Sequence, residues 1–234
     1  MLWKKGWYET RTRLLIVLAV VVVITVLTMG PPPPAGAGSG PLVGATTIPA
    51  MLAAILLAGA GVKTQLGGLQ RSKGLHGSMY YTLSLPVTRT RLFNVRVSLG
   101  LAEIAAIQVL TYSAILLVHP AGVHPAGINV ALSDLFKHGV AAFLCVTAVY
   151  SLGVFFAAFL DDVYQHWATI FTVVGTIVIL SRVPLPASMD AFLVLSLASP
   201  LNTHTMPWNA MAVLLGLSGM LLLIALKIVR SLEY

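Results

Sequence analysis

Residues 139–160 read GVAAFLCVTAVYSLGVFFAAFL, and none of these 22 positions carries a charged side chain. At the helical rise of about 1.5 Å per residue, a run of this length makes a rod of about 33 Å, enough to cross the hydrocarbon core of a bilayer. Comparable apolar runs lie on either side of it. Val97 to Val118, Leu42 to Val62 and Leu14 to Met29 precede it, and Trp167 to about Leu180 and Trp208 to Val229 follow. The first and fifth runs are short for a full crossing, so the first is expected to begin nearer Tyr8 and the fifth to cross less deeply. The remaining composition agrees: 58% of the 234 residues are hydrophobic, 9% are charged and the mean hydropathy is +0.92. Soluble domains carry about a quarter charged residues, so a soluble domain is excluded. Six spans leave no room for a sizeable domain outside the membrane. The expected fold class is an all-α membrane protein of six transmembrane helices, with residues 1–234 as a single transmembrane domain.

The placement of the charges says more than their sum of +7. Lys4, Lys5, Arg11 and Arg13 precede the first span; Lys63, Arg71, Lys73, Arg89, Arg91 and Arg96 separate the second from the third; Lys227 and Arg230 follow the sixth. Only Lys137 and Arg182 fall on the opposite side, a division of 12 against 2. Because basic loops stay on the cytoplasmic face, both termini and the 63–96 segment are expected in the cytoplasm, in a multi-pass protein of the cell's inner (cytoplasmic) membrane. The basic balance is thus read as topological and directed at membrane lipids, and not at nucleic acid.

The flanks and connectors fit this layout. Trp3, Trp7 and Tyr8 alternate with Lys4, Lys5, Glu9, Arg11 and Arg13, the composition of a helix at headgroup level, so residues 1–13 are expected to form an interfacial helix. The same basic region and apolar core, followed by Ala35-Gly36-Ala37, also have the order of a secretory leader; an uncleaved first span is the reading taken. Pro31 to Pro34 and the Gly/Ser tract to Gly40 make a short external connector. Val118-His119-Pro120-Ala121-Gly122 is repeated at once as Val123-His124-Pro125-Ala126-Gly127, a duplication of the kind exposed loops tolerate. His138 and His204 are also expected outside, yet no carboxylate or thiol completes a familiar metal spacing, and no metal site is assigned. Cys145 is alone, so no disulfide can form within the chain.

The segment from Lys63 to Arg96 holds about 34 residues, many more than a turn between adjacent helices requires. Leu75, Met79 and Leu83 recur every four residues, which predicts a short amphipathic helix despite the neighbouring Gly74 and Gly77. Pro86 ends it. Thr88 is placed to cap a new helix through Arg89, Arg91 and Arg96 into the third span, with these arginines at phosphate depth. A surface helix with an apolar stripe between basic residues must dock on lipid or on a partner.

The phrase from Gly77 to Leu92, GSMYYTLSLPVTRTRL, resembles the signature between the second and third spans of the ABC type 2 permeases, the membrane subunits of ATP-binding-cassette exporters. Its most specific part is Leu83-Ser84-Leu85-Pro86-Val87-Thr88-Arg89. The family usually carries a glutamate just ahead of the matching glycine, whereas no acid occurs here between Lys63 and Arg96. The resemblance implies that residues 63–96 are a cytoplasmic coupling segment, with Leu75, His76, Met79, Tyr80 and Leu83 docking on a separate ATPase subunit that binds ATP and Mg. It also implies a second permease protomer, identical or a paralogue, and an external re-entrant hairpin at 183–207. That hairpin fits the run Ala191 to Ala198, which is too short to span and is bracketed by Pro184, Pro186, Pro200 and Pro207.

The function expected from the resemblance is an exporter permease without an ATPase site or cofactor of its own, moving a lipid, a peptide or a hydrophobic drug-like molecule. Consistently, the sequence contains no Gly-x-x-x-x-Gly-Lys-Ser/Thr loop; Gly59 to Thr64 approaches it but lacks the Gly-Lys step. Neither a His-Glu-x-x-His pair nor a Gly-x-Ser-x-Gly elbow occurs. The alternative is a stand-alone secondary transporter or an integral membrane enzyme. Against these stand the lack of visible repeat symmetry and the scatter of the seven acids. Glu103 lies about two turns into the third span and must find a partner or water, either as a pathway or gating acid paired with an arginine of the basic segment or of a second protomer, or as a polar lock between helices. Asp161 and Asp162 are read as caps of the fifth helix. Ala54, Ala58 and Gly61 place small residues along one side of the second span, as close helix packing requires.

Overall fold

The computed structural model describes residues 2–28, 40–58, 88–118, 131–160, 162–182 and 200–231. The regular elements among the described residues are all helices: α1 (Leu2–Thr28), α2 (Gly40–Leu57), α3 (Arg89–Val118), α4 (Leu132–Ala157), α5 (Asp162–Arg182), the single turn α6 (Pro200–Thr203) and α7 (Trp208–Ser231). Three stretches are long and apolar enough to cross a membrane: Thr90–Ala114 in α3, Leu132–Ala157 in α4 and Trp208–Ser231 in α7. Shorter apolar helical stretches occupy Leu14–Ile24, Thr46–Leu57 and Tyr164–Ile179.

The segment with which the reading began is the centre of the bundle. α4 packs against α2, α3, α5, α6 and α7, and Ala141, Ala142, Cys145, Val146, Ser151, Val154 and Ala157 have no measurable exposure. A helix that is apolar on every face can afford burial on every face. Small residues set its distance from α2. A Cβ added to Gly153 would stand 2.4 Å from the Ala58 Cβ, so the two backbones approach as closely as the missing side chain allows. Ala54 and Ala58 are buried at this contact, as expected from the small-residue stripe; Gly61 lies outside the described residues. At the bundle surface, α1 and α7 leave Ile16, Val23, Leu215 and Leu223 exposed, an apolar exterior of the kind that lipid solvates.

The hydrogen bonds fix the relative directions of the helices. At one end, the Arg230 Nε late in α7 donates to the Thr90 Oγ1 early in α3 (3.3 Å), and the Gln165 amide early in α5 donates to the Ala58 carbonyl after α2 (2.7 Å). At the other end, Thr46 early in α2 meets His138 early in α4, and His204, just ahead of α7, meets Asp134. Successive helices from α2 to α5 therefore alternate in direction, and α7 runs parallel to α2 and α4.

Several local expectations meet the structure directly. α3 begins at Arg89, and its Arg91 N–H donates to the Thr88 Oγ1 (3.3 Å), which is the expected cap. Arg96 is buried within the bundle, on the same α3 face as Glu103 two turns on. Residues 2–13 and the first span form one unbroken helix, since no proline or glycine lies between Tyr8 and Thr28 to interrupt it. α5 starts at Asp162, five residues ahead of the apolar run, because Gln165 is drawn inside to pair with Ala58. His138, expected outside, is fully buried between α2 and α3. Asp161, His119 and His124, together with residues 183–199 of the expected hairpin, lie outside the described residues; the end of that stretch is α6, which packs on α4.

Candidate functional site

Of the residues singled out from sequence, Leu75, His76, Met79, Tyr80 and Leu83 lie outside the described residues, and Glu103 lies within them. Glu103 is 4% exposed on α3, in the middle of the bundle. The helical period puts Arg96, Gly100, Glu103 and Ile107 along one face of α3. Tyr150 of α4 closes over this face. A Cβ on Gly100 would stand 2.1 Å from the Tyr150 hydroxyl, and that hydroxyl points at the Val97 carbonyl at 3.5 Å. Arg96, Glu103 and Tyr150 are close enough for the two charges to act on each other and on the phenol. An arginine from the end of the 63–96 segment is thus the cation that faces Glu103, within one protomer. Two buried charges are retained only with such mutual compensation. Both charges ride on α3 and move with it, so the polar contact from this cluster across to α4 is the one the Tyr150 hydroxyl makes with the Val97 carbonyl.

A second polar cluster lies at the opposite end of α4. The Lys137 ammonium donates to the Asp134 carboxylate (2.8 Å) and to the His204 carbonyl (2.8 Å), and the His204 imidazole nitrogen Nδ1 contacts the other carboxylate oxygen. His204 adopts a left-handed backbone conformation with φ of 56°, which costs a non-glycine residue of order 1 kcal/mol or more. The paired contacts to Asp134 and Lys137 hold it there. This clasp fastens the turn between α6 and α7 to the start of α4. Among the described residues no group of three or more His, Cys, Asp or Glu is placed to hold a metal ion.

Sequence reasoning offered an arginine of the basic segment for Glu103 without singling out Arg96, and it missed Tyr150 as the cover and the Asp134–His204 clasp. The i to i+7 spacing of Arg96 and Glu103 was available as a signal; the other two join residues 53 and 70 positions apart in sequence. No protein-family model, no curated protein and no solved structure matches the chain.

Proposed function

We propose that this chain is the membrane subunit of an ATP-driven exporter, crossing the cytoplasmic membrane six times with both termini inside. Two such subunits, identical or paralogous, pair around a pathway, and a separate cassette ATPase binding ATP and Mg docks on the segment ahead of α3. The cargo class is a lipid, a peptide or a hydrophobic drug-like molecule. The observation that carries the reading is the phrase Leu83-Ser84-Leu85-Pro86-Val87-Thr88-Arg89, set at the start of a helix that continues into an apolar span. The direction of the helices supports the topology. Arg91, Lys227 and Arg230 gather at the end where α3 starts and α7 stops, while Lys137 and Arg182 belong to the other end.

The mechanical consequence follows from the backbone. Thr88 caps the start of α3, so a push arriving from the segment ahead of it is delivered to one continuous helix. That helix carries Arg96 and Glu103 against Tyr150 of α4, and a shift of α3 must change the contact between the Tyr150 hydroxyl and the Val97 carbonyl. Glu103 is the residue through which docking reaches the pathway.

The test is ATP hydrolysis by the purified chain alone and by its complex with the cassette subunit. The chain alone is expected to be inactive and the complex active, with turnover raised by cargo. Robust hydrolysis by the isolated chain would overturn the proposal.

A further inference from the structure

Between α3 and α4, near the end where α4 begins, lies a cavity of about 740 Å³. A volume of this size is that of a site for a drug-sized molecule. Its walls are largely hydrocarbon and aromatic, including Leu116, Leu132, Phe136 and Phe143. None of the described residues lining it carries a charge. Phe136 stands 72% exposed, so the cavity opens sideways, onto the surface that lipid covers in a spanning bundle.

Two wall residues, Gln108 and Tyr112, carry buried polar atoms that do not fit an apolar void, and the carboxamide is the more telling. Gln108 of α3 lines the cavity and is only 5% exposed, yet neither its carboxamide oxygen nor its nitrogen has a hydrogen-bond partner among the described residues. A buried carboxamide left with both its acceptor and its donors idle is costly, and native interiors rarely keep one. The contrast with its neighbours is informative. Gln165, equally buried, donates to the Ala58 carbonyl, and Thr111 donates to the Ile107 carbonyl. The wall behind Gln108 is rigid: the Tyr112 ring lies over Gly139 and meets the His138 ring edge-on at 6.3 Å, and His138 pairs with Thr46 at 3.2 Å. No group of that wall is bonded to the amide, and the Tyr112 hydroxyl, one turn along α3, is a second buried polar atom at the cavity without a partner among the described residues.

We propose that the α3–α4 cavity binds a neutral amphiphile, with an apolar body against Leu116, Phe136 and Phe143 and one uncharged amide or hydroxyl group paired with the Gln108 carboxamide. The absence of lining charge disfavours cations and anions, which would enter without a counter-ion and pay desolvation. An amide head is the best match, because it returns both a donor and an acceptor. Access is from the membrane through the gap beside Phe136. This site requires no ATPase and stands whether or not the chain is an exporter.

The full chain, in nanodiscs of defined phosphatidylcholine, is tested with a photoreactive N-alkyl amide, its alkane counterpart without the amide, and quaternary-ammonium and carboxylate counterparts. The amide probe is expected to label α3 and α4 around Gln108 saturably and at least tenfold more tightly than the ionic probes. Gln108→Leu, close in volume, should weaken the amide probe about tenfold and leave the alkane probe unchanged or tighter, with Gln108→Asn restoring part of the difference. A neutral lipid that co-purifies and is displaced by the probe would identify the occupant as a membrane component; uptake by protein free of lipid would identify it as a diffusible molecule; either supports the site. Labelling spread over all lipid-facing helices, or an equal effect of Gln108→Leu on amide and alkane probes, would overturn it. So would quantitative cross-linking between two copies through Phe136→Cys in a Cys145→Ala background that blocks labelling, since the cavity would then be a protein interface.

Discussion

Glu103 and Arg96 are the residues on which the interior electrostatics turn. Removing one member of a buried charge pair leaves the other uncompensated, a loss of about 3–5 kcal/mol, whereas replacing both by apolar side chains of similar volume is often near neutral. Glu103→Gln is therefore expected to lower the apparent Tm in detergent far more than the double variant Arg96→Met/Glu103→Met does. Equal losses would show that the two side chains act independently. Gly100 gives a second prediction at this scale. A methyl there collides with the Tyr150 hydroxyl, and overpacking costs about 1–3 kcal/mol, so Gly100→Ala should destabilise the protein and the added change Tyr150→Phe should recover part of the loss. The measurement is again thermal unfolding, compared across the cycle.

Among the elements, α4 and the turn before α7 are joined by the Asp134–Lys137–His204 clasp. Asp134→Asn removes the charge that gathers Lys137 and His204 and should release His204 from its left-handed conformation. Hydrogen exchange over 200–207 is expected to rise several-fold, with exchange in the middle of α4 unchanged; uniform exchange in both would detach the clasp from any local role. The elements were also the most legible level of the sequence. Runs such as 139–160 announce helices because their length and lack of charge admit little else. The cap at Thr88 and the tight α2 approach at Ala54 and Ala58 were readable because both depend on local chemistry or on side-chain size. What could not be read was the inward face of each helix. In a soluble helix the polar side marks the exterior, but beyond His138 α4 carries no charge on any side, so Tyr150 gives no hint of what it meets. Gln108 lies in an apolar run and Gln165 beside two aspartates and a histidine, yet nothing in either context tells which amide is satisfied, and only the fold separates the two.

At the scale of the whole molecule, the alternating helices place the basic residues of α3 and α7 together, and the proposed topology assigns that end to the cytoplasm. In a Cys145→Ala background, Ser39→Cys and Ala121→Cys are expected to react with an impermeant thiol reagent from outside, and Ser72→Cys only from inside. Outside labelling at position 72 would invert the arrangement. The central claim is the dependence on a docked ATPase, and it rests on the stripe Leu75, Met79 and Leu83 directly ahead of the phrase that ends in Thr88 and Arg89. A carboxylate placed in an apolar protein cleft costs several kcal/mol, so docking should weaken by orders of magnitude while membrane insertion survives. The direct measurement is pull-down of the cassette ATPase by Met79→Asp and by the wild type at equal expression, with transport followed in parallel. Loss of both binding and transport is the predicted result; undiminished binding with normal transport would contradict the account.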